Sequence, residues 1–205
     1  MDATTDTRVK ALLDISGTSE DAVLGQLITT ISARIEDYID RPLETLARTE
    51  EYDIKPRQRV IFLRAYPLSA QADVASIKVS TTWDFAATSA LATTSYHTDL
   101  NTGAIHLTTY PITNYLGNNM ATAPNAVQVT YTGGLGAAPA NIIADYPAIA
   151  GACETQVIAA WRRRDEPMGK TTKIGEYAAT VDGPLQFLPD VIEALMPYRR
   201  MRFGQ

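Results

Sequence analysis

The chain contains two histidines, His97 and His106, and these are the side chains best suited to acid–base chemistry or metal binding. Residues 96–99 and 104–107 each have the composition of a short strand, and a turn at 101–103 separates them. The resulting hairpin would bring the two imidazoles onto neighbouring strands. Because no cysteine or carboxylate lies beside them at metal-ligand spacing, we interpret them as strand-surface histidines, and we predict no metal and no cofactor. A small enzyme with a site near His97 and His106 is the alternative.

The other reactive residue types do not form a catalytic set. Cys153 lies in a predicted helix with no histidine near it in sequence, which indicates a buried thiol. The acidic residues Glu50, Glu51 and Asp53 are typical of a solvated strand end. The glycine-rich residues 133–136 lack the Gly-Lys-Ser/Thr of a phosphate loop, so these glycines more simply end a strand. We therefore predict a protein that is not an enzyme.

Composition places the chain among ordinary globular proteins. It has 205 residues, of which 45% are hydrophobic and 20% charged. The sequence shows no transmembrane segment, no membrane partner is predicted, and the polar N-terminus does not have the pattern of a signal peptide. A single cysteine excludes an internal disulfide framework and suits a reducing compartment.

The charge is unevenly distributed along the chain. The net charge is −5, which argues against a protein that wraps DNA tightly. Residues 1–160 carry 10 basic and 17 acidic residues, whereas residues 161–205 carry 8 basic and 6 acidic residues. A basic C-terminal part on an acidic body favours a docking segment, and a solvated charge pattern without a function is the alternative.

A long amphipathic helix over residues 19–40 organises the prediction. Ser19 is expected to cap it, Pro42 marks its end, and Ser32 is placed on the polar face. The predicted apolar face consists of Val23, Leu24, Leu27, Ile28, Ile31, Ile35, Tyr38 and Ile39. This stripe requires a partner, for which we expect helices at 147–164 and 188–196. The side chains expected to be buried between them are Ile28, Ile31, Ile35, Val157, Ile158 and Leu195.

The remaining elements define the fold class. A first helix at 5–14, with Val9, Leu12 and Leu13 on one side, should form a helical hairpin with the long helix. Period-two patterns predict strands at 60–63, 75–80, 96–99, 104–107 and 126–131, with exposed loops at 111–125 and 167–187 and a short strand possible at 176–181. We predict an α+β protein with a small helical bundle, formed by the N-terminal hairpin and the C-terminal helices, and an inserted antiparallel β-rich unit. The bundle would comprise residues 1–43 and 139–205, and the insertion residues 44–138.

The order of these segments resembles a known family. The long helix ends Ile-Glu-Asp-Tyr-Ile-Asp-Arg-Pro-Leu, the β-unit opens with Tyr66-Pro67-Leu68, and a later strand ends in Gly133-Gly134. Trp161, followed by Arg164-Asp165-Glu166, precedes a C-terminal pattern Leu-Pro-x-x-Ile-x-x-Leu-x-x-Pro-Tyr-Arg. This arrangement over residues 8–203 is similar to the head–tail connector proteins, also called adaptor or head-completion proteins, of tailed bacteriophages and gene transfer agents.

The resemblance implies a structural virion protein of the neck, made in the host cytoplasm. Such adaptors form a homo-oligomeric ring of roughly twelve copies beneath the portal protein. The ring extends the DNA channel, lets double-stranded DNA pass without sequence-specific binding, and connects the capsid to the stopper or tail-completion protein. Another neck or tail component, such as a tail-terminator or decoration protein, is the alternative.

Two segments are the predicted contact sites. The basic and aromatic C-terminal tail is assigned to the portal because arginine and aromatic residues are enriched in interfaces; it consists of Pro197, Tyr198, Arg199, Arg200, Met201, Arg202 and Phe203. A frayed terminus is the alternative for this tail. The loop at 167–187 is assigned to the channel or the subunit interface, with Lys170, Lys173, Glu176 and Tyr177 as its candidate residues.

Overall fold

The computed structural model describes residues 1–54, 58–80, 84–108, 123–163, 171–174, 177–180 and 186–200. These residues contain both α-helices and antiparallel sheets, so the prediction of an α+β protein is confirmed at the level of class. The chain divides into two compact units, Met1–Leu43 with Ala138–Gln205, and Glu44–Ala137. None of the helices in the described part of the chain is long and apolar enough to cross a bilayer.

The first unit contains five helices and a two-stranded ribbon among its described residues. The helices are α1 (Asp6–Leu13), α2 (Asp21–Ile39), α3 (Pro139–Asp145), α4 (Pro147–Arg162) and α5 (Pro189–Leu195), and a 3₁₀ turn, Met196–Tyr198, follows α5. Proline occupies the first turn of α3, α4 and α5, where its missing N–H would have no intrahelical partner anyway. The helices predicted at 147–164 and 188–196 correspond to α4 and α5.

Helix α2 packs against α4, and α5 also packs against α4. The buried side chains of α2 are spaced by three or four residues, and they include Ile28, Ile31 and Ile35. Val157 of α4 and Leu195 of α5 are also buried, as predicted, whereas Ile158 is only partly buried. The apolar stripe of α2 is therefore core.

Three predicted positions on these helices are wrong. Leu12 and Val23 were assigned to apolar faces, but they are 53% and 49% exposed. Both lie near the connection between α1 and α2, at the edge of the stripe. Ser19 does not cap α2: the N-cap residue is Glu20, without a side-chain cap bond, because the Asp21 N–H already turns back to the Thr18 carbonyl at 3.3 Å.

Ser32 was predicted to face water, but it is fully buried by the N-terminal segment. Its hydroxyl accepts the backbone N–H of Ala3 at 2.9 Å, and Thr4 donates to the buried Glu154 carboxylate at 2.7 Å. Arg8 Nε donates to the same carboxylate at 2.7 Å. These bonds satisfy polar groups that would otherwise be expensive to bury, and they hold residues 3–8 on α2 and α4.

Among its described residues, the second unit contains two three-stranded antiparallel sheets. Its strands are β1 (Leu46–Ile54), β2 (Val60–Phe62), β3 (Val74–Val79), β4 (Tyr96–Asp99), β5 (Ala104–Leu107) and β6 (Ala123–Gly133). One sheet has the order β1-β6-β3 and the other β2-β5-β4. One continuous cluster of buried residues draws on both sheets, with Ile61, Ile77, Ile105 and Tyr131 among its largest members.

The predicted hairpin of β4 and β5 is confirmed with its boundaries. Gly103 has φ +65°, the left-handed conformation that its turn requires, and a Cβ there would lie 2.9 Å from the Cβ of Tyr66. The predicted strands at 60–63, 75–80 and 126–131 correspond to β2, β3 and part of β6. Strand β2 lies at the edge of its described sheet, because β5 is its only partner there.

Two predictions about irregular segments need correction. The segment 167–187 contains two strands that pair antiparallel, with Ile174 opposite Tyr177. Strand β8 (Tyr177–Thr180) confirms the short strand that the sequence suggested at 176–181, whereas β7 (Thr171–Ile174) was not predicted. The β-branched residues of β7 favour a strand, although the glycines and prolines of the segment suggested a loop. The loop expected at 111–125 lies outside the described residues up to 122, and residues 123–125 belong to β6.

Candidate interaction surface

The described part of the predicted portal segment lies at the end of α5. Leu195 is buried and anchors the helix, and Pro197 is located in the 3₁₀ turn that replaces further α-helix. The next residue after the anchor, Met196, is 62% exposed. A large unbranched apolar side chain so exposed is suited to contact another protein.

Two hydrogen bonds that involve backbone groups hold this turn on the C-terminal end of α2. The Arg200 N–H donates to the carbonyl oxygen of Ile39 at 2.8 Å, and Arg41 Nη1 donates to the Tyr198 carbonyl at 3.3 Å. The last carbonyls of a helix have no intrahelical partner, so the first of these bonds satisfies a group that the helix leaves free. Residues 198–200 are therefore held on the helical unit.

Two arginine side chains flank two aromatic rings along this surface. The Arg34 guanidinium carbon lies 5.2 Å from the centre of the Phe187 ring, and the Arg199 guanidinium carbon lies 5.5 Å from that of Tyr38. The two rings meet edge to face, with centres 5.8 Å apart. Each cation–π contact at an exposed position contributes about 0.5–1 kcal/mol. The ladder Arg34–Phe187–Tyr38–Arg199 therefore orders side chains that would otherwise be mobile.

A second aromatic contact supports the same turn from α4. The ring of Tyr198 meets the ring of Tyr146, the residue before α4, edge to face at 6.1 Å between centres. Burial raises the pKa of the Tyr146 hydroxyl above its ordinary value, so this hydroxyl is neutral at physiological pH.

A groove of about 410 Å³ lies between the turn and α2. It is lined by Asp37, Tyr38, Asp40, Met196, Pro197, Arg199 and Arg200. Asp37 and Asp40 contribute carboxylates from the end of α2, and Arg199 and Arg200 contribute guanidinium groups from the residues after the turn. Such a mixed surface suits a protein partner that carries both apolar and charged side chains, and it has no arrangement for bond-making chemistry. We call the residues lining this groove, with Arg34 and Phe187, the α5 surface.

The structure describes part of each of the two predicted contact sites. Pro197, Tyr198, Arg199 and Arg200 lie on the α5 surface or beneath it, whereas Met201, Arg202 and Phe203 lie outside the described residues. Residues 198–200 contact the end of α2 and Tyr146, and the prediction of a docking tail did not foresee these contacts. Lys173 and Tyr177 lie on β7 and β8, and Lys170 and Glu176 fall outside the described residues.

Sequence reasoning missed six members of this surface, namely Arg34, Asp37, Tyr38, Asp40, Phe187 and Met196. Arg34 and Tyr38 are four residues apart on α2, so their spacing alone places them on one helix face. Phe187 was assigned to a loop, and no local signal indicates that it stacks on them. Asp37, Asp40 and Met196 were not assigned to any contact site.

The candidate catalytic residues are structural in this fold. Cys153 is fully buried, 3.6 Å from the Ser32 hydroxyl, and burial raises the pKa of its thiol to about 12. A protonated, enclosed thiol is a poor nucleophile. The Glu50 carboxylate accepts hydrogen bonds from the Tyr52 and Tyr131 hydroxyls, and Tyr131 belongs to the core of the second unit.

Two further sequence candidates have defined positions. Gly133 and Gly134 end β6, where a Cβ on either would lie 2.4 Å from a backbone carbonyl oxygen, so close packing explains both glycines. His97 and His106 are directly opposite each other on β4 and β5. Within the described residues there is no group of three or more His, Cys, Asp or Glu side chains placed to hold a metal ion.

Comparison with solved structures reveals a shared fold. A chain in the neck of an empty gene transfer agent (GTA) particle, computed with C6 symmetry, has a TM-score of 0.57 at 15% identity, over 98% of this chain and 92% of that chain. A chain in the neck of the native GTA particle, computed with C12 symmetry, has a TM-score of 0.54 at 15% identity, over 89% and 85%. A chain from the virion of the native gene transfer agent has a TM-score of 0.54 at 16% identity, over 93% and 82%.

Neither of the two sequence comparisons finds a relative. No family model matches the chain, and no curated protein matches it. Because identities of 15–16% carry information on fold alone, the resemblance seen in the sequence is supported at the level of architecture. The chain has the fold of chains found in the neck and virion of a gene transfer agent particle.

Proposed function

We propose that this chain is a structural protein of the virion neck, a head–tail adaptor of a tailed bacteriophage or gene transfer agent. The observation that carries the proposal is the fold shared with a GTA neck chain over 98% of this chain and 92% of that one. A match over nearly the full length of both chains compares whole architectures, including both units. The sequence resemblance to the adaptor family points in the same direction.

In this proposal the chain forms a closed ring of about twelve copies beneath the portal protein. The similar neck structures were computed with C12 and C6 symmetry, which supports a cyclic arrangement. A ring of this kind extends the DNA channel and offers its far side to the stopper or tail-completion protein. The net charge of −5 suits a conduit through which DNA slides without being held.

We assign the α5 surface and the following residues to the portal. Met196 supplies an exposed apolar contact, and Arg199 and Arg200 supply cations for carboxylates on the partner. Residues 198–200 are pre-positioned on the helical unit, so little ordering entropy would be lost there on binding. Repetition around a ring makes later contacts intramolecular, and avidity can then exceed single-site affinity by about 10²–10⁴.

We assign the β7–β8 ribbon to the channel lining or to the contact between subunits. An isolated two-stranded ribbon is marginally stable, so a neighbouring surface would be needed to hold it. Lys170 and Lys173 would meet phosphate groups or an acidic neighbour, with Glu176 and Tyr177 beside them. A ring in which this ribbon contacts neither DNA nor another chain would contradict the assignment.

The alternatives have less support. A tail-terminator or decoration protein is expected to be dominated by β-structure, whereas the described residues include the long helices α2 and α4. For an enzyme near His97 and His106, the polar groups that line the adjoining cavity among the described residues are the Asp99 carboxylate, the Thr98 hydroxyl and the amides of Gln71 and Asn101, which do not match a familiar catalytic set.

Deletion of the gene tests the adaptor function. Cells producing particles without this chain should accumulate DNA-filled heads that lack tails, and the wild-type gene should restore tailed particles. Normal tailed particles in its absence would contradict the proposal.

Complementation with a surface variant tests the portal assignment separately. Met196→Asp should keep the melting temperature of the wild-type chain, because Met196 is largely exposed, but it should fail to restore tails. Thr155→Asp, on the exposed side of α4, is the matched control and should restore them. If Met196→Asp restores tails as well as wild type, the portal contact lies elsewhere.

A further inference from the structure

The two histidines of the chain form one cross-strand pair. Strand register places His97 of β4 directly opposite His106 of β5, and both side chains are exposed. Directly opposed residues of an antiparallel pair have Cβ atoms about 4.5–5.5 Å apart. Both imidazoles of a 205-residue chain are therefore concentrated at a single position of one hairpin.

The surroundings of this pair are polar and open. The alternate residues Tyr96, Thr98 and Ile105 are buried, so the histidines occupy the opposite face of the sheet. A cavity of about 530 Å³ adjoins them, lined by Gln71, His97, Thr98, Asp99, Leu100, Asn101 and His106. The cavity is large enough to hold an ion together with its water ligands.

Asp99 adds a negative charge beside the pair. Its Oδ1 accepts the backbone N–H groups of Asn101 at 3.0 Å and Thr102 at 3.4 Å. Asp99 also lines the cavity beside the two histidines, so its carboxylate lies where it can attract a cation.

Although the sequence alone led us to predict no metal, the register of β4 and β5 changes that expectation. We infer that His97 and His106 chelate one divalent transition-metal ion, of the class of Zn²⁺ or Ni²⁺, with water in the remaining positions. Imidazole is a preferred ligand of these ions. Two nitrogens bound to one tetrahedral Zn²⁺ are roughly 3.3 Å apart, which opposed side chains on neighbouring strands can reach. Asp99 and Gln71 line the same cavity, where their oxygens can accept hydrogen bonds from the metal-bound waters.

Such a site would join β4 to β5 through side chains. With two protein ligands it binds more weakly than a structural zinc site, and the ion exchanges with solution. Because the folded hairpin binds the ion and the unfolded chain does so less well, the ion stabilises the folded chain by mass action. This inference is independent of the proposed role in the neck.

Calorimetric titration of ZnCl₂ and NiCl₂ into the purified full chain tests the site. At about pH 7.5 we expect one ion per chain. His97→Asn and His106→Asn should each weaken binding by at least about tenfold. Both residues are exposed, so the variants should fold, which circular dichroism verifies.

A thermal series and one control complete the experiment. Zn²⁺ should raise the melting temperature of the wild-type chain and leave that of the His97→Asn/His106→Asn double variant unchanged. Cys153→Ala removes the only thiol and should keep wild-type affinity. No measurable binding by the wild type, or equal affinity in either single histidine variant, would overturn the inference.

Discussion

The hydroxyl of Tyr131 accepts the backbone N–H of Ala65 at 2.9 Å, and it donates to the Glu50 carboxylate at 2.8 Å. Tyr131 is buried near the C-terminal end of β6, and these bonds connect the core of the second unit to β1 and to the chain after β2. A buried backbone N–H without a hydrogen-bond partner costs folding free energy. The Tyr131 hydroxyl therefore stabilises the fold in a way that a phenylalanine ring at this position could not.

Tyr131→Phe should destabilise the second unit by about 1–3 kcal/mol, because it keeps the ring but leaves the Ala65 N–H unpaired. Tyr52→Phe is the matched control: it removes the other donor to Glu50 and leaves the Ala65 bond intact, so its effect should be smaller. Urea unfolding measures both. An equal loss of stability in the two variants would show that the hydrogen bond between Ala65 and Tyr131 does not account for the effect of Tyr131→Phe.

Gly133→Ala should destabilise the chain by at least about 2 kcal/mol. An added Cβ would lie 2.4 Å from the carbonyl oxygen of Ala65, so backbone must move. Gly151→Ala, in the middle of α4 with nothing within 4 Å of the new Cβ, should instead stabilise by about 0.5–1 kcal/mol. Thermal melts of the two variants should shift in opposite directions, and a neutral Gly133→Ala would refute the packing at the end of β6.

Ile31→Asp should unfold the helical unit, because it places an unpaired charge at a fully buried position between α2 and α4. Val23→Asp makes the same chemical change on the same helix at a position that is half exposed, and its stability should stay within about 1 kcal/mol of wild type. Circular dichroism and urea unfolding distinguish them. A wild-type melt for Ile31→Asp would mean that the α2 stripe is not core.

Alkaline pH should destabilise the chain through Cys153. Burial raises the pKa of this thiol from 9.0 to about 12, so the folded state holds a proton that the unfolded state releases. The resulting stability is complete below about pH 9 and is lost as pH rises toward 12, by at most about 1.4 kcal/mol per pH unit. Tyr131, whose pKa burial raises to about 12, adds a similar loss above about pH 10.

Cys153→Ala isolates the thiol's part of this dependence. Between about pH 8 and pH 10 the free energy of unfolding should fall less steeply in the variant than in wild type, whatever the change in stability at neutral pH. Urea unfolding at several pH values gives the two slopes. Parallel slopes would mean that the thiol ionises equally well in the folded chain.

The local sequence pattern was sufficient to predict an element whose buried side chains recur at the spacing of a helix or a strand. The stripe Ile28–Ile31–Ile35 and the hairpin around Gly103 could be predicted because side-chain spacing and one left-handed turn determine them. The same reasoning missed β1 as an element. Its exposed positions include Ala47, Thr49 and Glu51, and it is held in the sheet by backbone pairing with β6, which leaves little hydrophobic signal.

The candidate surface depended on contacts distant in sequence. The ring of Tyr38 contacts that of Phe187, and the Arg200 N–H donates to the Ile39 carbonyl, although the two members of each pair are far apart in the sequence. No local pattern specifies such pairs. Ser32 was misplaced for the same reason, because Ala3 and Cys153 supply its partners. The arginine and aromatic composition of the tail indicated an interface, but only the fold shows that residues 198–200 are already held on the helical unit.

The most direct test of the central claim is a cryo-EM reconstruction of the unique vertex of particles that carry this chain. We predict a closed ring formed by copies of this chain immediately below the portal, with the α5 surface toward the portal and DNA passing through the centre of the ring. Finding the chain on the capsid lattice or in the tail tube, with no copy between the portal and the tail, would contradict it.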